Sequence, residues 1–174
     1  MGFWKCFFYF CFTGAMGFIL GRLLPPRWFH PEMRGFRCLP FEKDGKLYEK
    51  LHVRRWQQLL PDMSRILPWA MPQKKLSGDY AEKLPRMLQE TCIAETIHVL
   101  LCVIGLYSLK LWPGAGGVTV YVLYVVFFNL PYIVIQRYNR PRLLRLYHRV
   151  RSSEYQKETP SKPYSHSGMN LQCR

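Results

Sequence analysis

One segment constrains the fold of this chain more than any other: an apolar run at residues 118–135 that leads directly into a cluster of arginines. The run is 18 residues long, carries no charge and is interrupted only by Asn129 and Pro131. That length is close to what a helix needs to cross a hydrocarbon layer of about 30 Å. Six arginines follow within fifteen residues: Arg137, Arg140, Arg142, Arg145, Arg149 and Arg151. Such a junction is typical of a transmembrane helix anchored by positive charge.

The distribution of apolar residues extends this interpretation to the whole chain. Apolar residues are concentrated at 7–20, 93–112 and 118–135, and charged residues fill the segments between them. We therefore predict an all-α membrane protein with about three transmembrane helices, the first at about 3–24 and the others at the second and third apolar blocks. The net charge of +14 would also suit a nucleic-acid-binding protein. No RNA- or DNA-binding motif accompanies that charge, so we predict no nucleic-acid partner.

The basic residues predict how the chain crosses the membrane. If segments 22–86 and 137–174 lie on one side, that side holds 23 of the 25 Lys and Arg residues and leaves Lys5 and Lys110 on the other. Basic residues collect on the cytoplasmic side. We therefore predict a multi-pass protein of the cytoplasmic membrane, with the amino terminus outside and the carboxyl terminus in the cytoplasm. A cleaved signal peptide is the alternative for the first block, but its amino-terminal region has a single Lys, Arg22 and Arg27 follow it, and there is no clean small-residue cleavage site.

The segment between the first two spans, residues 25–90, is expected on the cytoplasmic side. Its residues 42–46 have the pattern of a turn built on Asp-Gly. Residues 47–60 then place apolar side chains, Trp56 among them, at helical spacing between basic ones, and Pro61 ends the pattern. This predicts a basic amphipathic helix that lies in the headgroup layer or packs under the bundle.

The remaining segments complete the predicted domain organisation. Residues 64–85 contain prolines and a glycine and predict an irregular segment or a short helix of high mobility. We predict that residues 1–151 form a single integral-membrane domain. Residues 152–174 are polar, with few aliphatic side chains, and predict a disordered tail.

A second unusual stretch, ETCIAETIH at residues 90–98, opens the second span. Helical spacing puts Glu95 and His98 on one face at i and i+3. An ionisable pair inside an apolar segment is expensive and usually faces the bundle interior, which makes it a candidate functional site. Two alternatives remain: a structural polar pair between helices, or a pair that reaches water at the membrane interface.

A glycine-rich stretch predicts where this pair lies in the bundle. Residues 112–117 read WPGAGG and predict a tight hairpin, so the second and third spans are expected to be antiparallel neighbours. His98 then lies about as far from the turn as residues 129–132, and Glu95 comes level with residues 136–140. Three glycines in the first span have a spacing that allows close helix approach: Gly14, Gly17 and Gly21.

The order of four motifs adds a resemblance. FEKDGK, VRRW, QETCIAETIH and NLPYIVIQRYNRPRL resemble the glycosyl diaponeurosporenoate acyltransferase family over about residues 41–149, and QRYNRPRL is the most specific string. The resemblance implies a membrane O-acyltransferase of carotenoid biosynthesis that esterifies a sugar hydroxyl of a glycosylated lipid with a fatty acyl group. It implies acyl-CoA or acyl carrier protein as the acyl donor and no other cofactor. The matching positions are Glu90, Glu95, His98, Arg137, Asn139, Arg140 and Arg142.

Ester formation needs a base for the hydroxyl proton and donors for the tetrahedral oxyanion. We predict His98 as the general base, with Glu95 orienting it or stabilising its imidazolium form. Arg137 and Asn139 are the predicted oxyanion donors. These four residues form the predicted catalytic group.

A second group is predicted to bind the substrates. Its members are Glu90, Gln136, Tyr138, Arg140 and Arg142. Arg140 and Arg142, set by a helix break expected at Pro141, are suited to the phosphates of an acyl donor, because a guanidinium can make forked contacts that an ammonium cannot.

Two other functions fit parts of the sequence. A non-catalytic membrane scaffold or lipid-binding protein accounts for the spans and leaves Glu95 and His98 as an interhelical hydrogen bond. A metal-dependent lipid enzyme would use the Glu-x-x-His pattern at 95–98, but the known bundle sites need it twice with further carboxylates. We predict no metal site. The predicted partners are a membrane lipid or glycolipid and the acyl donor, and a homo-oligomer is compatible with the sequence.

Overall fold

The structure is a computed structural model that describes residues 1–60 and 80–158. The α-helices are α1 (Gly2–Leu23), α2 (Lys46–Lys50), α3 (Val53–Trp56), α4 (Tyr80–Gly105), α5 (Ser108–Leu111), α6 (Ala115–Leu123) and α7 (Leu130–Glu158). Short 3₁₀-helices lie at Pro26–Trp28 and Pro40–Gly45, and a π-helix at Tyr124–Asn129 joins α6 to α7. The described residues contain no strand, and the all-α prediction is confirmed.

Three helical segments are long and apolar enough to cross a membrane: Gly2–Leu23, Lys83–Leu111 and Ala115–Ser153. The protein is therefore a membrane protein. The first segment coincides with the predicted span to within one residue. The second starts ten residues before the predicted boundary at 93, because α4 already begins at Tyr80 and continues through Pro85.

The third span continues past Pro141, and the helix break expected there is wrong. Helix α7 runs without interruption to Glu158. A proline inside a helix removes one backbone hydrogen bond and crowds the preceding turn. Here the proline ring packs close to Gly45, whose φ of 92° only a glycine adopts readily. The helix also extends beyond Arg151 to Glu158, where the sequence predicts a disordered tail. The rest of that tail, residues 159–174, lies outside the described residues. So does most of the segment predicted to be irregular or a short helix at 64–85, of which residues 80–85 belong to α4.

Between the first two spans the chain folds under the bundle. The sequence predicts one amphipathic helix at 47–60, and the structure has two short helices, α2 and α3, separated by His52 at a left-handed φ of 52°. That turn lets Tyr48 and Val53 both reach Tyr138 of α7, with Trp56 against the same cluster. The segment is thereby held to the third span.

Helix α4 is the centre of the bundle, with α7 on one side and α1 on the other. The α5–α6 turn at residues 112–114 folds α6 and α7 back alongside α4, which confirms the predicted hairpin. On the other side, Cβ atoms at Gly17 and Gly21 would lie 3.2 and 3.4 Å from side chains of α4, whereas Gly14 faces open space. Two of the three glycines therefore allow the close approach that their spacing predicts.

Candidate active site

The two unusual stretches of the sequence meet in the structure. Helices α4 and α7 are antiparallel, so that residues later in α4 lie beside residues earlier in the third span. Three hydrogen-bonded pairs mark this register: Thr91 with Arg140, Glu95 with Arg137, and His98 with Asn129. The hairpin thus brings together residues about thirty to fifty positions apart, at the levels that counting from the turn predicts.

Glu95 is held by two arginines. Its Oε1 accepts a hydrogen bond from Nη1 of Arg137 at 2.6 Å, and its Oε2 accepts one from Nη2 of Arg140 at 2.5 Å. The Glu95 residue is only 5% exposed, so these charge-assisted bonds replace the water that its carboxylate gives up. The structure therefore pairs Glu95 with the arginines, and the hydrogen-bond partner of His98 is Asn129 instead.

Arg137 also reaches the segment below the bundle. Its Nε donates to Oε1 of Glu42 at 2.6 Å, and Nη2 donates to Oε2 of the same carboxylate at 3.3 Å. Nη1 and Nη2 further donate to the backbone carbonyls of Gly35 and Arg37 at 3.5 and 3.3 Å. Every nitrogen of this guanidinium therefore has a protein acceptor.

Glu42 is a buried carboxylate that the sequence pattern assigns only to a turn. It is 2% exposed and accepts hydrogen bonds from the Leu39 N–H at 2.6 Å, from the Tyr48 hydroxyl and from Arg137. Burial alone would raise the pKa of Glu42, but the Arg137 guanidinium, the Tyr48 hydroxyl and the Leu39 N–H together hold it below its ordinary value. Burial and the adjacent carboxylate raise the pKa of Tyr48, which remains a donor.

Arg140 is the most buried cation of the site, at 4% exposure. Besides Glu95, it binds Thr91 through Nε to Oγ1 and Nη2 to the backbone oxygen, both at 3.1 Å. Its Nη1 donates to the Phe36 carbonyl at 3.0 Å, and its guanidinium lies 5.1 Å from the centre of the Phe36 ring. We call Glu42, Glu95, Arg137 and Arg140 the ion-pair cluster. Its two positive and two negative charges balance, as burial requires.

One helical turn further into the span lies a second polar group, formed by His98, Asn129 and Tyr132, which we call the His98 cluster. Nδ1 of His98 is 3.1 Å from Oδ1 of Asn129, and the imidazole stacks on the Tyr132 ring at 4.8 Å with an interplanar angle of 4°. Asn129 is 1% exposed, and its Nδ2 donates to the Tyr124 carbonyl at 3.2 Å. Each polar side-chain atom of this buried amide is therefore satisfied.

The other predicted site residues are placed apart from His98. Asn139 and Gln136 are half-buried on α7. Asn139 is ten residues beyond Asn129, about 15 Å along the helix, so the structure does not bring it to the imidazole. Tyr138 is buried and receives a hydrogen bond of 2.6 Å from Nη1 of Arg142.

Two predicted substrate-binding residues lie nearer to the surface. The exposed Arg142 folds back over the Tyr138 ring, with its guanidinium 4.7 Å from the ring centre. Glu90 is half-buried and pairs with the exposed Arg86 at 3.4 Å within α4. In contrast to Arg137 and Arg140, Arg142 keeps its side chain accessible from outside the bundle.

No site role was predicted for Asn129, Tyr132 or Glu42, although counting from the turn put residues 129–132 level with His98. Asn129 carried a usable signal, since a polar amide in an otherwise apolar span is expensive unless it has a partner. Tyr132 resembles any aromatic residue near a membrane interface. Glu42 gave no signal, because its partner Arg137 lies 95 residues away in the chain.

The Glu-x-x-His pattern does not gather further metal ligands around it. Within residues 1–60 and 80–158, no three His, Cys, Asp or Glu side chains form a group that could hold a metal ion. Both carboxylate oxygens of Glu95 are directed to arginines instead.

Comparison with known proteins places the site in a family. The sequence model of the glycosyl-4,4'-diaponeurosporenoate acyltransferase family matches residues 25–149, well over half of the chain. The chain belongs to this family. Proteins of that name from Staphylococcus aureus strains N315 and MRSA252 are 30% and 31% identical to it over 130 residues, which cover 73% of this chain and 76% of each relative. No solved structure matches the chain.

Membership of the glycosyl-4,4'-diaponeurosporenoate acyltransferase family confirms the resemblance carried by QRYNRPRL and the neighbouring motifs. The protein is thus an enzyme of the acyltransferase class. The matched range of 25–149 contains all of the ion-pair cluster and all of the His98 cluster. Helix α1 lies outside it.

Proposed function

We propose that this protein is a membrane O-acyltransferase that transfers a fatty acyl group to a sugar hydroxyl of a glycosylated lipid, a carotenoid glycoside or a related glycolipid. The name of its relatives supports this acceptor class, because glycosyl-4,4'-diaponeurosporenoate carries both a sugar and a long apolar chain. The proposal rests on one observation: the His98 imidazole is held by a hydrogen bond and by ring stacking inside a membrane span of an acyltransferase.

The proposed reaction uses His98 as a general base. The imidazole takes the proton of the sugar hydroxyl as the oxygen attacks the carbonyl carbon of a thioester, either acyl-CoA or acyl carrier protein. A C–O bond forms, the C–S bond breaks as the tetrahedral intermediate collapses, and the departing thiolate takes the proton back from the imidazolium. The products are the ester and the free thiol, and His98 returns to its neutral form.

Three arginines have three different roles in this proposal. Arg137 is the candidate oxyanion donor, because its contact with Glu95 puts its guanidinium about one helical turn from His98. An oxyanion would replace its longest hydrogen bond, the 3.5 Å contact of Nη1 with the Gly35 carbonyl. Arg142 is the candidate ligand for the donor's phosphate, because its guanidinium is exposed. Arg140, which is only 4% exposed, holds the two helices in register through Thr91 and Glu95. Asn139 is better placed for the acceptor's polar head than for the oxyanion.

The location of the site supports a cytoplasmic donor. We propose that the protein lies in the cytoplasmic membrane, with its amino terminus outside and its carboxyl terminus in the cytoplasm, because 23 of its 25 basic residues then share the cytoplasmic side. The ion-pair cluster lies near that face. A water-soluble acyl thioester would approach there while the acceptor's apolar chain stays in the bilayer.

Replacing His98 with alanine tests the base. Membranes that contain the H98A variant are assayed for ester formation with glycosyl-4,4'-diaponeurosporenoate and acyl-CoA, and turnover is expected to fall by about 10²- to 10⁴-fold. The matched control is Thr119→Ala, an exposed position on α6. Wild-type turnover in H98A would remove His98 from the chemistry. Lipid extracts of cells with and without the protein should differ by one acyl group, and unchanged lipids would favour a scaffold.

A further inference from the structure

We infer that Asn129 is a positioning residue that fixes His98 in the tautomer protonated at Nδ1, so that Nε2 is the nitrogen that accepts a proton. The tautomer follows from hydrogen-bond geometry alone. Only the use made of Nε2 rests on the proposed function.

The surroundings of the Asn129 amide allow only one orientation. Its NH₂ group faces the Tyr124 carbonyl at 3.2 Å, and a carbonyl oxygen can only accept a hydrogen bond. A flipped amide would bring its own oxygen against that carbonyl and leave two acceptors without a proton. At 1% exposure, water is not available to relieve that conflict. The amide oxygen therefore faces His98.

The orientation of this amide decides which nitrogen of the His98 imidazole is protonated. Oδ1 of Asn129 is an acceptor, so the nitrogen 3.1 Å away, Nδ1 of His98, must carry the hydrogen. A neutral imidazole has one N–H, and the hydrogen bond made by one ring nitrogen decides the state of the other. Nε2 is therefore the nitrogen with the free electron pair.

The backbone around Asn129 explains why the amide is held in this way. Residues Tyr124–Asn129 form a π-helix, in which a carbonyl faces the residue five positions later rather than four. This geometry brings Asn129 alongside the Tyr124 carbonyl, whose second electron pair can accept from the side chain. Short π-helical turns of this kind frequently lie at functional sites.

The plane of the His98 ring is fixed as well. Tyr132, three residues beyond Asn129, stacks on the imidazole at 4.8 Å and nearly parallel. A hydrogen bond at Nδ1 and a stacked ring leave His98 little freedom to rotate. Nε2 then keeps one direction, which a general base needs for efficient proton transfer.

The tautomer can be observed without any turnover. The protein is labelled with ring-¹⁵N histidine, placed in phosphatidylglycerol bilayers at mildly alkaline pH and examined by solid-state NMR, with His98 assigned from the spectrum of His98→Gln. We expect a protonated Nδ1 and an unprotonated Nε2. The near-isosteric Asn129→Leu should convert the signal to Nε2–H, whereas Thr119→Val should leave it unchanged. A wild-type protein protonated at Nε2 would overturn the inference.

Kinetics test whether the tautomer serves the reaction. With acyl-CoA and glycosyl-4,4'-diaponeurosporenoate, Asn129→Leu should lower kcat by about 10²-fold and change KM by less than about threefold. Asn129→Gln keeps both the acceptor and the NH₂ donor of the amide and should recover part of the Nδ1–H signal and part of kcat, which also covers the case in which the leucine variant fails to fold. Wild-type kcat in a folded Asn129→Leu protein would overturn the positioning role. Full turnover in His98→Gln would instead refute the proposed base and leave the NMR result intact.

Discussion

Nη1 of Arg137 lies 2.6 Å from Oε1 of Glu95, and this ion pair joins the third span to the second. Through Nε, the same guanidinium binds Glu42 at 2.6 Å, on the segment that folds under the bundle. One side chain thus connects three separate parts of the chain. Ion pairs in water contribute little to stability, but a buried pair is costly to break because the remaining charge has no solvent.

Removing the Glu95 charge should destabilise the protein strongly. Glu95→Gln leaves Arg137 with Glu42 alone and Arg140 without its carboxylate partner, and breaking a buried pair typically costs about 3–5 kcal/mol. Thermal unfolding in detergent micelles measures the effect. The control is Glu49→Gln, an exposed glutamate of α2. A Tm for the Glu95 variant equal to that of the control would show that the cluster does not stabilise the fold.

The stability contributed by Glu42 should depend on pH. Because its pKa is lower in the folded protein than its ordinary value of 4.5, Glu42 stabilises the fold above that value, and this contribution disappears as the pH falls through the lowered pKa. We therefore expect the Tm difference between the wild type and Glu42→Gln to be large at neutral pH and to shrink below about pH 4. A difference that stays constant from pH 7 to pH 3 would contradict this linkage.

The first span should tolerate a large side chain at one glycine and not at another. A Cβ at Gly17 would meet Leu101 and Ile97 at 3.2–3.3 Å, whereas nothing lies within 4 Å of one at Gly14. Gly17→Leu should therefore cost about 1–3 kcal/mol through overpacking, and Gly14→Leu should be close to neutral. Unfolding of both variants in the same micelles provides the comparison. Equal losses would mean that α1 does not pack on α4 through Gly17.

Substitutions of the two arginines that flank Pro141 should have different effects, one on stability and the other on acyl-CoA binding. Arg140→Lys loses the forked contacts with Thr91 and Glu95, so it should lower Tm while the folded fraction keeps its KM for acyl-CoA. Arg142→Ala should raise that KM several-fold and leave Tm nearly unchanged, because its side chain is exposed. Steady-state kinetics and unfolding curves on both variants decide between them. A raised KM in Arg140→Lys alone would assign the phosphate site to the buried arginine.

The meeting of the second and third spans was predictable from sequence. A glycine-rich hairpin places two antiparallel helices side by side. With a rise of about 1.5 Å per residue, the number of residues from the turn then gives the height of each side chain along its helix. His98 accordingly contacts Asn129 and Tyr132, at the level that counting from Trp112 predicts.

The choice of partners was not predictable in the same way. Glu95 and His98 share a helical face, and their spacing suggests a pair, but each turns to α7. Two guanidiniums satisfy a buried carboxylate better than one imidazole does. Which side chain lies within 3 Å depends on helix rotation and distance, and neither can be read from spacing. The role of Glu42 was not predictable for a related reason, since its burial depends on packing against Arg137, which is distant in the sequence.

The continuity of α7 through Pro141 also depends on tertiary contacts. A local rule ends the helix at the preceding residue. The buried Arg140 and Tyr138 in the turn before the proline, each with its own partners, hold that turn in place. The contacts that keep the helix continuous at Pro141 come from three other segments: α4, the chain around Phe36, and α2 with α3.

The π-helix at Tyr124–Asn129 amounts to one residue more than a regular helix would need between α6 and α7. Deleting a single residue from that wide turn would restore an ordinary helix and leave Tyr132, Arg137 and Arg140 facing α4, because the turn itself takes up the extra residue. Deleting a residue from the regular part of α6 would instead rotate everything after it by about 100°. The extra residue is therefore tolerated only where the helix widens, and it is there that Asn129 meets both the Tyr124 carbonyl and His98.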